Sequence, residues 1–232
     1  MVERTELETE RLLLRPFRFG DEADVLAYCS EPGFARFLPH LPQPYTVRDA
    51  AEFVANRALD SWEVQPYFAI TLGGRVIGGL DFRVEPEHQR AGLGYGISPA
   101  AWGHGYTAEA ASAAIGWAFT TYGLARVFAT ANAANRQSWR VMEKLGMRRE
   151  ALLRSHRVLR GERADEVVYG ILREEWLGRD SRVEVRSSVA PVRQQQFCGR
   201  NLATMFGLPR AVFEFPMYDA LYAYCRAREP GS

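Results

Sequence analysis

The 232-residue sequence predicts an α+β fold built on a mixed sheet, and three observations carry that prediction. Stretches of strand character outnumber helical ones. Their order is mixed, without the strict alternation of a doubly wound sheet. Two hairpins are signalled, at Gly73-Gly74 and around Arg160-Gly161, while a helix from Tyr106 to about Tyr122 implies a parallel portion.

The elements follow in order. RLLLRPFRF (11–19) is apolar and strand-like, and Gly20 and Asp21 then open a helix with Asp21 as its N-cap. EPGFARFLPHLPQPYT (31–46) carries four prolines and reads as loop with a short helical turn. Thr46 caps a second helix to about Trp62, with Val47, Ala50, Phe53, Val54 and Arg57 at helical spacing. PYFAITL and RVIGGLDFRV form the first hairpin, and RAGLGYGIS is a strand stopped by Pro99. ARVFATA (125–131) is a buried strand, and a helix over Asn135 to Leu145 ends at Gly146 as C-cap. MRREALLRSHRVL and ERADEVVYGILREEW make the last hairpin.

Near Ser181 the texture changes to a polar linker and then an aromatic segment, so the chain divides into a main domain, 1–180, and an extension, 181–232. The extension is too short to hold a core of its own. It is expected to dock on the main body, to serve as a lid, or to act as the arm of a homodimer. The totals describe an ordinary globular protein, 47% hydrophobic and 25% charged, with a net charge of +1 that exerts no overall pull on nucleic acid or membrane. Cys29, Cys198 and Cys225 are odd in number and far apart, which speaks against a disulfide scaffold or a metal site. No apolar run approaches the roughly 18 residues of a membrane span, and a cytoplasmic location is expected.

In RAGLGYGIS, Gly92, Gly94 and Gly96 share one strand face and Leu93, Tyr95 and Ile97 the other, so one face carries no side chains. Shortly after, WGHGYT leads into a helix. Helix-start N–H groups lack internal partners, and preceding glycines let the backbone turn them toward one anion. From the residues alone, a structural turn and an anion cradle are both open. A Walker loop is absent, and GLGYG is not GxGxxG.

The order of the blocks TERLLLRPF, RVIGG, LGYGISPAAWGHGYTAEA, NAANRQSWRVMEKLGM and RGERADEVVYGILREEW resembles the GNAT superfamily of acyl-CoA N-acyltransferases. The closest look is the branch that acetylates ribosomal-protein N-termini. That resemblance implies a mostly antiparallel twisted sheet with a central V-shaped splay, helices on both faces, and acetyl-CoA as acyl donor. By position it implies that Trp102, Gly103, His104, Gly105, Tyr106 and Thr107 hold the CoA pyrophosphate. Ile97 and Ser98 would pair with the pantetheine arm, Asn135 would bind CoA, and Ser138 would lie near the sulfur.

Amide formation needs an amine freed of its proton, fixed donors for the oxyanion, and a proton for the departing thiolate. Ser138 could protonate the thiolate, or could simply bond within its helix. Relatives often carry a glutamate where this chain has Gly92 and an aromatic where it has Gly96, differences expected to open the acceptor side. Asp81 and Glu85 are candidate bases, each with the alternative of a solvated or ion-paired carboxylate. His40, in the proline-rich loop, is a third candidate. The acceptor would be a small-molecule amine or a protein N-terminus. A transferase using a larger acyl-CoA and a non-catalytic CoA sensor are the competing readings.

Overall fold

The computed structural model describes residues 2–38 and 41–179. His40 and the extension at 181–232 lie outside the described residues. Among those described, eight strands form one sheet in the order β1-β2-β3-β4-β5-β6-β8-β7. They are β1 (Leu7–Glu8), β2 (Leu13–Pro16), β3 (Tyr67–Leu72), β4 (Arg75–Glu85), β5 (Arg90–Ile97), β6 (Arg126–Asn132), β7 (Arg148–Leu159) and β8 (Glu162–Leu172). Every neighbouring pair is antiparallel except β5 and β6, which the chain joins through α3 (Tyr106–Thr121). The fold is the mostly antiparallel α+β architecture expected.

Two cores lie on opposite faces of the sheet. The larger gathers Leu80 and Phe82 of β4, Leu93 of β5, Val127 and Ala129 of β6, and Ala110, Ala114, Ile115 and Ala118 of α3. The smaller gathers Phe17 and Ala69 with Val25 and Tyr28 of α1 (Glu22–Cys29) and Ala50 and Val54 of α2 (Val47–Leu59). Strand alternation thereby assigns the odd-numbered residues of central β4, Gly79, Asp81 and Arg83, to the α1–α2 face. α4 (Arg136–Lys144) and α5 (Arg173–Leu177) complete the helices.

The local causes are visible in the chain. Gly73 and Gly74 have φ of 57° and 83°, the pair of positive values a two-residue hairpin turn demands. Thr46 and Asp49 form a reciprocal capping box that starts α2. α2 ends at Leu59, short of the expected Trp62, because Trp62 is buried against Phe68 and Trp117 instead. Asp21 occupies the N-cap position of α1, but its carboxylate does not cap the helix. Both oxygens accept from Arg15 at 2.8 Å, a buried pair. Burial raises the Asp21 pKa, yet the bonds from Arg15 and from the Arg18 N–H outweigh it and hold the carboxyl below its usual range.

Candidate active site

β5 and β6 run together for three residues only, Arg90–Gly92 beside Arg126–Phe128. Beyond Gly92, β5 stays with β4 as far as Ile97 opposite Gly78, and β6 stays with β8 as far as Asn132 opposite Glu166. The two strands therefore diverge, and the sheet opens a wedge along Leu93–Ile97. In an antiparallel ladder alternate residues turn their N–H and C=O to alternate sides. The Ser98 N–H bonds the Ile77 carbonyl at 2.7 Å, which turns the backbone of Ile97 toward the wedge. There the Ile97 carbonyl accepts the Trp102 indole N–H at 3.0 Å.

Ser98 differs from the pairing role expected of it. Its N–H serves β4, its carbonyl accepts from Ala101, and its hydroxyl donates to Glu31 while accepting from Ala100. Each polar group of Ser98 already has a protein partner, so the edge facing the wedge belongs to Ile97.

At the outer end of β5 the loop 102–105 curls into α3. Gly103 and Gly105 have φ of 83° and 82°, values that favour glycine. The His104 carbonyl is drawn aside by Arg11 Nη1 at 3.1 Å. α3 makes its first bond from Glu109 N–H to the Gly105 carbonyl, so the N–H groups of Tyr106 and Thr107 have no partner within the helix. Those donors meet the positive end of a 16-residue helix, an arrangement suited to an anion.

A brace holds this loop. Arg11 pairs with Glu109 at 2.6 Å, and Thr9 Oγ1 donates to the same carboxylate at 2.6 Å. The Arg11 guanidinium lies 4.6 Å from the centroid of the Tyr106 ring, which in turn stacks on His104 at 5.4 Å. Burial raises the Glu109 pKa, but the bonds from Thr9 and Arg11 hold it below the ordinary value. Glu109 therefore does more than favour the helix dipole: it ties the N-terminal strand region to the loop.

On the far side of the wedge, Asn135 caps α4 through its side-chain oxygen, which accepts from the Ser138 N–H at 3.3 Å. The Ser138 hydroxyl lies 3.2 Å from the Tyr95 hydroxyl, which also donates to the Ser138 carbonyl at 2.8 Å. Tyr95 thus bridges the wedge from β5 to α4. It sits opposite the glycines in strand parity, and that alternation is the only signal in the sequence that could have singled it out.

The glycine face of β5 is not open. A Cβ at Gly92 would lie 3.2 Å from the Phe128 ring, one at Gly96 would lie 3.3 Å from the Phe34 ring, and one at Gly94 would lie 2.5 Å from Asp81 Oδ1. The room expected at Gly92 and Gly96 is taken by two aromatic rings, and Gly94 exists to admit a carboxylate. Asp81 is 3% exposed. Burial pushes its pKa up to about 6 against the pull of Arg57 and Arg83. The solvated alternative for Asp81 is thereby overturned. Glu85 instead pairs with Arg90 at 2.7 Å at the rim. Arg160, at the tip of the β7–β8 hairpin, donates to the Ala35 carbonyl at 2.9 Å and ties that hairpin to the loop beside Phe34.

Comparison with known proteins completes the picture. Residues 11–148 match the profile of the Acetyltransferase (GNAT) domain. The chain belongs to the GNAT acetyltransferase family. It is 33% identical over 170 residues to the uncharacterized N-acetyltransferase YnaD of Bacillus subtilis (strain 168), covering 73% of this chain and 98% of that protein. The crystal structure of a GNAT-family acetyltransferase from Bacillus anthracis superposes with a TM-score of 0.66 at 31% identity, over 73% of this chain and 99% of that one. The microcin C7 self-immunity acetyltransferase MccE, solved with acetyl-CoA and AMP, shares the fold at a TM-score of 0.66 and 16% identity, over 70% of this chain and 93% of that one. The enzyme is an N-acyltransferase on these grounds.

Proposed function

We propose that this GNAT enzyme transfers the acetyl group of acetyl-CoA to a primary amine by direct attack within a ternary complex. The observation that carries the reading is the position of Asp81, buried at the inner end of the β5–β6 wedge directly over Gly94. In this reading the loop Trp102–Thr107 receives the CoA pyrophosphate, and the Ile97 edge pairs with the pantetheine arm. Asn135 borders the same arm, and the thioester reaches the inner end of the wedge near Asp81.

The ammonium of the acceptor gives its proton to ionised Asp81, the freed nitrogen attacks the thioester carbonyl, and the C–S bond breaks as the tetrahedral oxyanion collapses. Backbone N–H groups of the diverging strand supply donors for that oxyanion. The thiolate takes its proton from Ser138, and the nitrogen of the tetrahedral intermediate gives up its second proton to water. The Ser138 hydroxyl, held 3.2 Å from the Tyr95 hydroxyl, regains its proton from solvent, so that the one net proton released stays on Asp81 until product leaves. A pKa of about 6 suits Asp81 to the role, since it is ionised at neutral pH yet more basic than an ordinary carboxylate.

The acceptor belongs to the range the ribosomal N-terminal branch spans, a protein N-terminus or a small amine. Mass spectrometry of reactions with acetyl-CoA and amine panels tests this. An acetyl amide formed only with active enzyme is expected, and succinylated product formed in preference from succinyl-CoA would sink the acetyl assignment.

A further inference from the structure

Asp81 and Arg83 are two residues apart on β4, so their side chains leave the same face, and their Cα atoms are roughly 7 Å apart. They lie opposite Gly94 and Gly92, at the base of the wedge. The Nε of Arg83 is buried and has no hydrogen-bond partner, and among the described residues its guanidinium enters no hydrogen bond or ion pair. The Asp81 carboxylate likewise accepts no hydrogen bond from the described residues. Arg57 also has a buried Nε without a partner, but its Nη1 pairs with Asp60, and Arg90, Arg126 and Arg157 pair with Glu85, Glu150 and Glu166; Arg83 differs in having no pair at all among the described residues.

A buried guanidinium donor without an acceptor is costly, and the fork of an arginine matches a carboxylate with two parallel bonds. Here a cation and an anion leave the same face of β4 at the base of the wedge, and neither is hydrogen-bonded by the described residues. We infer that the acceptor carries a carboxylate within a few bonds of its amine, and that Arg83 is the specificity-determining residue that receives it. The amine end meets Asp81 and the acid end meets Arg83, which describes an amino-acid head group. The inference rests on the transferase reading above and narrows its acceptor.

The test measures kcat/KM for acetyl transfer to matched pairs: L-phenylalanine against 2-phenylethylamine, and β-alanine against propylamine. Aminomethylphosphonate is a third anionic arm, and spermidine and N-terminal peptides run alongside. In each pair the wild-type enzyme prefers the acid-bearing member by about tenfold or more. Arg83→Gln removes that preference, lowering transfer to the acid-bearing member roughly ten- to a hundredfold. The comparison is made near pH 9, where Asp81 is ionised with or without the pull of Arg83; there, transfer to the plain amines and the KM for acetyl-CoA stay within about twofold. Arg83→Lys, which keeps the charge without the fork, falls between.

Equal or better use of the plain amines by wild type overturns the inference without recourse to any variant. So does an Arg83→Gln enzyme that loses both members of a pair equally. If spermidine or peptides react while the amino acids do not, this inference fails and the transferase reading stands. If no amine releases CoA, both fail.

Discussion

Gly94→Ala is the sharpest single perturbation the site offers. Its backbone is ordinary strand, so the cost is one of space alone. The added Cβ would stand 2.5 Å from Asp81 Oδ1, 3.2 Å from its Cγ and 3.4 Å from Oδ2. Ordinary contact begins at 3.4 Å, so the carboxylate must retreat by about 0.9 Å. A misplacement of that size costs on the order of 100-fold in rate when the displaced group does chemistry. Overpacking of this kind costs roughly 1–3 kcal/mol of stability, which a domain of this size survives. Steady-state kinetics with a melting curve reads the outcome: kcat falls about 100-fold, while the KM for acetyl-CoA stays within about twofold because the cradle is untouched. Gly92→Ala is the control, since its Cβ meets only the edge of the Phe128 ring at 3.2 Å and should cost much less. A Gly94→Ala enzyme that melts cooperatively and retains kcat would refute the claim that the position of Asp81 matters.

Further predictions follow from the same geometry. Gly103→Ala meets nothing within 4 Å but must hold a φ of 83°, a strain of about 1–2 kcal/mol. Calorimetric titration should show weaker CoA binding, with kcat less affected. Arg11→Ala frees Glu109 and the His104 carbonyl and should raise the KM for acetyl-CoA several-fold with kcat nearly unchanged. Tyr95→Phe removes the hydroxyl that contacts Ser138 and should lower kcat about tenfold or more with the melting temperature little changed. For Asp81 the folded pKa of about 6 exceeds the ordinary 3.8, so the folded state holds the proton more tightly. Its burial therefore destabilises the fold progressively as pH rises from about 4 through about 6, by up to about 3 kcal/mol. Asp81→Asn escapes that loss, and its melting temperature relative to wild type should rise between pH 4 and pH 7.

The sequence carried most of the frame because its local signals agree with one another. Gly73-Gly74, the Thr46 capping box and the stop at Gly146 each act within a few residues, and each is found where its chemistry placed it. The turn into α3 was legible for the same reason, since its two left-handed glycines and the helix start are adjacent in the chain. What was not legible depends on contacts across the sheet. Asp81 reads as one more strand carboxylate until it is seen lying on Gly94, thirteen positions later. Arg11 joins Glu109 across 98 positions, and Ser98 spends its hydroxyl on Glu31 across 67. The glycine face misled for a related reason: absent side chains on one strand signal close approach, and here the approaching groups belong to Phe34, Asp81 and Phe128.

The central claim is that buried Asp81 takes the proton of an amine attacking acetyl-CoA in this wedge. CoA thiol release, followed from pH 5 to 9 for wild type and Asp81→Asn at saturating acetyl-CoA, tests it most directly. The account predicts a wild-type kcat/KM whose acid limb turns near pH 6, and a variant that binds acetyl-CoA normally but loses both the limb and most of the rate. An Asp81→Asn enzyme with wild-type rate and the same acid limb would contradict it.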